Sequence, residues 1–251
     1  MNAATTIFTL WLREVKRFKR NKSRLIGSMA MPALFLVIFG SGFGGFFRYR
    51  SDVSYLDFIG PGIIGMSLLF AAMFGGMNVL WDKQFGFLKE ILVAPVSRIA
   101  IMTGKTLGTV TTSMLKGLVF LAGLAAWGLV RCDPVSIALA LVFMFLISAA
   151  FVSLGIAFAS VMTDPHAFPL IMNFIIMPIF FLSGALFPLE GLPGWLNALT
   201  HVNPLTYGVD GLRFALGGHN QFSPLLDIAV LVAFWMAATI GGALMFTRIS
   251  A

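Results

Sequence analysis

Apolar residues in this chain fall in long runs. Six of them, at 25–47, 58–80, 106–130, 136–162, 168–187 and 225–246, are long enough to cross about 30 Å of hydrocarbon as helices of about 20 residues. Ahead of the first run, residues 5–20 alternate at helical spacing. Ile7, Phe8, Trp11, Val15 and Phe18 share one face, and Arg13, Lys16, Arg17 and Arg20 occupy the other. A helix of that kind lies in the membrane interface rather than across it. The pattern predicts an all-α integral membrane protein: one domain over 1–251, with six transmembrane helices and an N-terminal interface helix.

Two connections between runs are long. In 82–94, Phe85, Leu88 and Leu92 recur at helical spacing among the polar Lys83, Lys89 and Glu90, and Pro95 ends the segment, because proline lacks a backbone donor and disfavours helix just before it. Two readings fit: a connector lying in the interface, or a short helix that docks a cytoplasmic partner. The segment 188–224 mixes Pro188, Gly191, Pro193, Gly194, Pro204, Gly208 and Gly211 with Leu192, Trp195 and Leu199. Its helical pieces, 194–200 and 204–216, are too short to cross and fit re-entrant or interfacial helices. Asp210 and Arg213, three residues apart, can pair on one helix face. An ordered outer lid and a gate both fit this segment.

Composition narrows the class. Of 251 residues, 59% are hydrophobic and 11% charged, against about 25% charged in soluble domains. Ordinary cytosolic enzymes, disordered chains and coiled coils are excluded. The 26 glycines and 14 methionines suit helices that pack closely in lipid. The single cysteine, Cys132, excludes a disulfide framework. The net charge of +7 does not point to nucleic acid, because seven of the 17 basic residues precede the first run. Such a cluster anchors a span on its cytoplasmic side and attracts anionic lipid. With the N-terminus inside, the cytoplasmic side holds twelve basic residues and the outside four (Arg48, Arg50, Arg131 and Arg213), which places both termini in the cytoplasm. The first run is too long for the apolar region of a cleaved signal and lacks a cleavage site.

Little chemistry remains. Asp, Glu and His are expected outside the spans, which weakens an ion-coupled carrier. His166, His201 and His219 lack ligand spacing, so no metal site is expected. Gly104-Lys105-Thr106 resembles the end of a phosphate-binding loop, but Ile99 stands where its first glycine belongs and no strand precedes it. Catalytic residues and bound cofactors are not expected. Lys105, Thr109, Thr112, Ser113 and Lys116 fall at i, i+4, i+7, i+8 and i+11 of one helix face. A lysine at membrane depth costs about 2.5–3.5 kcal/mol unless it snorkels or meets a partner. Either this stripe faces protein or water, or Lys116 snorkels to the cytoplasmic surface.

Four motifs in order carry a resemblance over nearly the whole chain. They are Phe58-Ile59-Gly60-Pro61-Gly62-Ile63; Gly86 through Arg98, followed by Gly104-Lys105; Phe181-Leu182-Ser183-Gly184-Ala185-Leu186-Phe187-Pro188 with Leu192-Pro193-Gly194-Trp195; and Asn203-Pro204-Leu205-Thr206-Tyr207-Gly208-Val209-Asp210-Gly211-Leu212-Arg213. The chain resembles the type 2 ABC transporter permeases, closest to the small permeases of the daunorubicin-resistance and nodulation-factor export type. The resemblance implies six spans, an interface helix, a cytoplasmic coupling helix after the second span and external re-entrant helices before the sixth. It also implies a permease homodimer in the cytoplasmic (inner) membrane of a bacterium or archaeon, in contact with membrane lipid. Two copies of a separate ATP-binding cassette subunit, which bind the ATP and Mg, complete the assembly. A drug, lipid or lipid-linked saccharide would be exported. Lys83, Phe85, Gly86, Leu88, Lys89, Glu90 and Leu92 would couple to that subunit. Glu190, Asn203, Pro204, Tyr207, Asp210 and Arg213 would belong to the external re-entrant segment. A secondary transporter or channel, and a membrane anchor or assembly subunit, are the competing classes.

The charge partition sets the first test. A reporter fused after Ala251 is expected to be active only in the cytoplasm, and tags at 131–134 and beside His219 to be reached from outside. Access to both tags from the cytoplasm alone would overturn the placement of the spans.

Overall fold

The computed structural model describes residues 2–43, 54–86, 96–162 and 164–247. Every regular element among them is helical. In chain order these are α1 (Ala3–Arg20), α2 (Lys22–Phe43), α3 (Tyr55–Gln84), α4 (Arg98–Ala126), α5 (Pro134–Val161), a broken helix α6 (Pro165–Phe181), α7 (Gly194–Val202), α8 (Pro204–Gly217) and α9 (Pro224–Thr247). Among the described residues, four stretches are long and apolar enough to cross a membrane: Tyr55–Gln84, Ile99–Ala126, Pro134–Val161 and Pro224–Met245. Ile26–Gly42 and Pro165–Phe181 are shorter apolar helices. That set of helices fits an integral membrane protein.

Helix ends follow local chemistry. Ser97 accepts from the Ala100 amide to start α4, and Asp133 accepts from the Ser136 amide to start α5, with Pro134 in the first turn; both are favoured N-terminal devices. The Ser136 hydrogen bonds hold the exposed Asp133 carboxyl below its ordinary range. The predicted 168–187 helix differs from what forms. It passes from a 3-10 turn through an α turn and a π segment (Met172–Ile176) to a second α turn ending at Phe181. Pro165, Pro169 and Pro178 each lack a backbone donor, and such gaps shift the helical register. The Ser183 hydroxyl then donates to the Phe180 carbonyl and closes the end.

The core lies along α3, α5 and α8, with α9 packed against α5 and α8. Close approach is built from glycine. A Cβ on Gly76 would stand 2.3 Å from the Gly155 carbonyl carbon of α5, so α3 and α5 meet backbone to backbone, as small residues allow in lipid. The short α8 is no surface lid. Leu205, Val209, Leu212 and Leu216 are buried, and its Gly211 lies against the ring of Phe143. By contrast α7 is mostly exposed at Trp195, Leu199 and Val202.

Two buried carboxylates contradict the expectation that the spans hold none. Asp227 lies inside the 225–246 run, in the first turn of α9, and is fully buried. Asp82 is buried too, because α3 continues past the predicted end at 80 to Gln84.

Gly76→Val forces side chain into backbone. It is expected to lower the thermal midpoint in detergent by several degrees, since overpacking costs about 1–3 kcal/mol. Gly27→Val, at a position with nothing within 4 Å, is expected to leave that midpoint unchanged.

Candidate functional site

One cluster of charged residues gathers at the end of α3 that leads into the 82–94 segment. Lys105 of α4 reaches Asp82 with Nζ 2.6 Å from Oδ2. Arg13 of α1 makes a two-pronged contact, Nη2 to Oδ1 at 3.1 Å and Nη1 to Oδ2 at 3.3 Å. Arg17, one turn on, stands 3.8 Å away. Asp82 and Lys105 are both nearly inaccessible to solvent. A carboxylate gripped by a guanidinium fork is among the stronger pairings, and removing one partner of a buried pair leaves an uncompensated charge.

This hub fixes α1. Leu10 and Ile7 close on Gly104, and Glu14 and Trp11 on Gly108, so α1 runs lengthwise along α4. The Trp11 indole donates to the Thr111 hydroxyl at 3.0 Å. The helix therefore buries the row Thr6, Leu10 and Glu14, while Phe8 on the predicted apolar face stays exposed. Lys83 extends the network: its Nζ donates to the Met162 and Ser160 carbonyls at 3.1 and 3.4 Å. A cation there complements the C-terminal end of α5.

Directly beyond, Phe85 is 76% exposed and stacks on Trp81 with ring centres 5.6 Å apart. Gly86 has φ +78°, the left-handed turn that glycine supplies after a helix. The predicted helix over 82–94 thus needs correction at its start: Asp82, Lys83 and Gln84 complete α3, and Gly86 breaks it. Leu88, Lys89, Glu90 and Leu92 lie outside the described residues.

The stripe on α4 faces protein. Lys105 meets Asp82, and Thr109 is buried with its methyl against Gly75 of α3. Thr112 donates to the Thr109 carbonyl. Ser113 is buried with no hydrogen bond to its hydroxyl. Lys116 is half-buried in a cavity between α1, α3 and α4.

The residues assigned to the external segment separate into different jobs. Asn203 caps α8 through the Leu205 amide and donates to the Ile179 carbonyl at 2.6 Å; Pro204 fills the first turn. The Tyr207 hydroxyl donates to the His201 carbonyl at 2.8 Å, and burial raises that hydroxyl's pKa. Glu190 is exposed. Asp210 and Arg213 do not pair. Asp210 accepts from the Gln221 and Phe222 amides at 2.9–3.0 Å, tying α8 to the turn before α9. Arg213 instead donates to the Gly184 carbonyl at 2.9 Å and lies over the Phe58 ring at 4.0 Å. Each side chain instead meets a backbone group or ring of a neighbouring segment. Burial pushes the Asp210 carboxyl up, against the pull of those amides and of Arg213. Asp227 lies near enough to Asp210 and Tyr207 to act on both electrostatically, and its carboxylate has no hydrogen-bond partner. Among the described residues no cluster of His, Cys, Asp and Glu is placed to hold a metal ion.

Sequence reasoning missed Asp82, Glu14 and Asp227. A lone carboxylate at the edge of an apolar run, with lysines and arginines on two neighbouring helices, was the available signal.

The chain matches the sequence profile of the ABC-2 type transporter family over residues 5–216. It is 29% identical to a putative transport permease, ycf38, of Cyanophora paradoxa, over 83% of this chain and 73% of that one. It is 28% identical to the inner membrane transport permease YadH of Escherichia coli K12, over 91% and 90%. A daunorubicin resistance ABC transporter permease protein, DrrB1 of Streptomyces coeruleorubidus, is 27% identical over 87% and 77%.

The hub makes a stability prediction. Asp82→Ala strands Lys105 and is expected to cost about 3–5 kcal/mol, read as a lowered midpoint in detergent. The double variant Asp82→Leu with Lys105→Leu is expected to regain most of that loss. A single variant as stable as wild type would show that the pairing holds nothing together.

Proposed function

We infer the function from descent: the chain belongs to the ABC-2 type transporter family, whose members are transport permeases, and we propose that it is the membrane-spanning subunit of an ATP-driven exporter. In this reading α2, α3, α4, α5, α6 and α9 are the six spans, α1 lies at the inner face, and α8 enters from outside without crossing. Both termini are cytoplasmic, and the protein sits in the cytoplasmic membrane of a bacterium or archaeon. Two copies assemble with two copies of a separate ATP-binding subunit, which binds ATP and Mg2+ and carries out hydrolysis. The cargo is a drug, a lipid or a lipid-linked saccharide; a drug is what the name of DrrB1 associates with that relative.

One observation supports the coupling mechanism above the others. In the chain the 82–94 segment leads from α3 toward α4, and Asp82 and Lys105 join those two helices at its start with Arg13 of α1. A push delivered to the segment by a closing partner would reach three helices as one unit. Lys83 passes the same push to the end of α5. Phe85 is the exposed aromatic beside that joint, and buried aromatic anchors carry much of the energy of an interface. Lys83, Lys89 and Glu90 would set register by charge, with Gly86 giving the turn and Leu88 and Leu92 the apolar contact.

A second reading has one observation in its favour. The buried Asp227 carboxylate, without a hydrogen-bond partner and close enough to Asp210 to act on it, is the kind of group an ion-coupled carrier uses.

Leu88→Ala and Glu90→Lys separate these readings. With the ATP-binding partner present, both are expected to insert normally, and either to cut ATP-dependent transport about tenfold or to release ATPase activity from it. Normal assembly and transport in both variants would refute the coupling role. Transport that persists when the partner's ATPase is disabled would favour the carrier.

A further inference from the structure

Two carboxylates meet where α8 turns back into α9, and only one of them has donors. Asp210 accepts from the Gln221 and Phe222 amides at 2.9–3.0 Å. Asp227 follows within a turn: its own amide donates at 3.1 Å to the carbonyl of Ser223, the residue after Phe222. Leu231, one turn further along the same face, is fully buried, and a Cβ on Gly208 of α8 would stand 3.7 Å from it. Asp227 is therefore carried on the side of α9 that faces α8. Its exposure is 0%, and neither carboxylate oxygen has a hydrogen-bond partner among the described residues.

The packed neighbours decide what charge this side chain can hold. From α8 come Tyr207, Asp210 and Arg213. The Tyr207 hydroxyl donates to the His201 carbonyl, while Arg213 donates to the Gly184 carbonyl and lies over the Phe58 ring. The other helix packed along α9 is α5, which has no ionisable side chain from Pro134 to Val161. Helix α4 meets α9 at Gly242, beside Met102, fifteen residues or about 22 Å along the helix from Asp227. At the turn itself, the His201 ring stands edge-on to Phe222, and His219 lines a cavity with Arg131 and Asp57. No salt bridge reaches Asp227 among the described residues.

An ionised Asp227 would be opposed twice, by the loss of hydration and by the Asp210 charge that acts on it. A buried charge without a partner costs far more than the neutral acid. The N-terminal end of α9 favours an anion, but that attraction is small beside the cost of desolvating a full charge. Asp210 and Asp227 thus stand in environments that push their charge states apart, the pattern of paired carboxyls with divided roles.

We propose that Asp227 is a proton-binding site: its carboxyl carries a proton while Asp210 is ionised, and the bound proton is what lets α9 close against α8. Losing it sets two like charges against each other at a corner packed to contact, and the first turn of α9 then parts from α8. The site requires neither ATP nor a partner subunit, so its failure is distinguishable from failure of the coupling mechanism.

The test uses the full chain in nanodiscs. Infrared spectra at neutral pH are expected to show the carbonyl stretch of a protonated carboxyl group. Asp227→Asn is expected to remove that band, and Asp210→Asn to keep it. Should Asp227→Asn fail to fold, Asp227→Leu carries the same comparison. An identical band in wild type and in the Asp227 variant would overturn the proposal. Stability gives a second readout. The folded chain holds a proton that an unfolded carboxyl releases above about pH 4, so folding takes up a proton and stability falls as pH rises, until the site empties. The thermal midpoint of the wild type is expected to drop by several degrees from neutral to mildly alkaline pH, and Asp227→Asn to abolish that drop. Recovery of the alkaline midpoint by sodium ions, dependent on Asp227, would make this a metal-cation site and overturn the proton assignment.

Discussion

A buried carboxylate cannot remain ionised alone, and in this protein that constraint arranges one whole end of the helix bundle. Asp82 lies in the last turn of a thirty-residue helix whose other positions are almost all apolar. Its charge is stabilised by Lys105 across the α3–α4 contact and by Arg13 and Arg17 from α1. The three helices must keep one mutual placement for all these contacts to exist. Gly104 and Gly108 make that placement attainable by letting α1 lie close along α4. The hydrogen-bonding demand of one side chain thus decides where an eighteen-residue helix goes.

The opposite end is organised on different principles. Glycine makes close approach there: Gly62 lies against the Ala185 backbone, and Gly208 and Gly211 let α8 close on Ile147 and Phe143 of α5. Polar side chains there serve mainly to satisfy backbone groups at helix ends: Asn203, Tyr207, Asp210 and Arg213 each bond main-chain atoms of a neighbouring segment. Asp227 is the exception, buried with no hydrogen bond to its carboxylate. One end of the molecule is a charge cluster where α3 ends, and the other is a close-packed plug.

The helical character and the apolar runs were legible in the sequence, because residues that must avoid water leave a long compositional trace. The broken course of 165–181 was half-legible: its three prolines are visible, but which register each gap produces depends on the packing around it. The hub was not legible. The apolar run over 58–80 stops short of Asp82, so the residue read as part of a loop, and nothing in the spacing of Arg13 reveals that α1 turns that edge toward α3. Asp210 and Arg213 read as a pair from spacing alone, yet each finds a backbone or ring partner that only the fold brings near. The membership in a transporter family rests on motifs, and motifs record architecture and coupling far more than they record cargo.

The central claim is that α1, α3 and α4 move as one body because Asp82 joins them. Spin labels at the exposed positions Thr9 and Gln84, in a chain whose only cysteine is removed by Cys132→Ser, report the α1–α3 separation in the assembled transporter. The account predicts one narrow distance, the same without nucleotide and with ATP trapped on the partner, that broadens in Asp82→Asn. A distance that changes between the two states of the unaltered, transporting complex would contradict it.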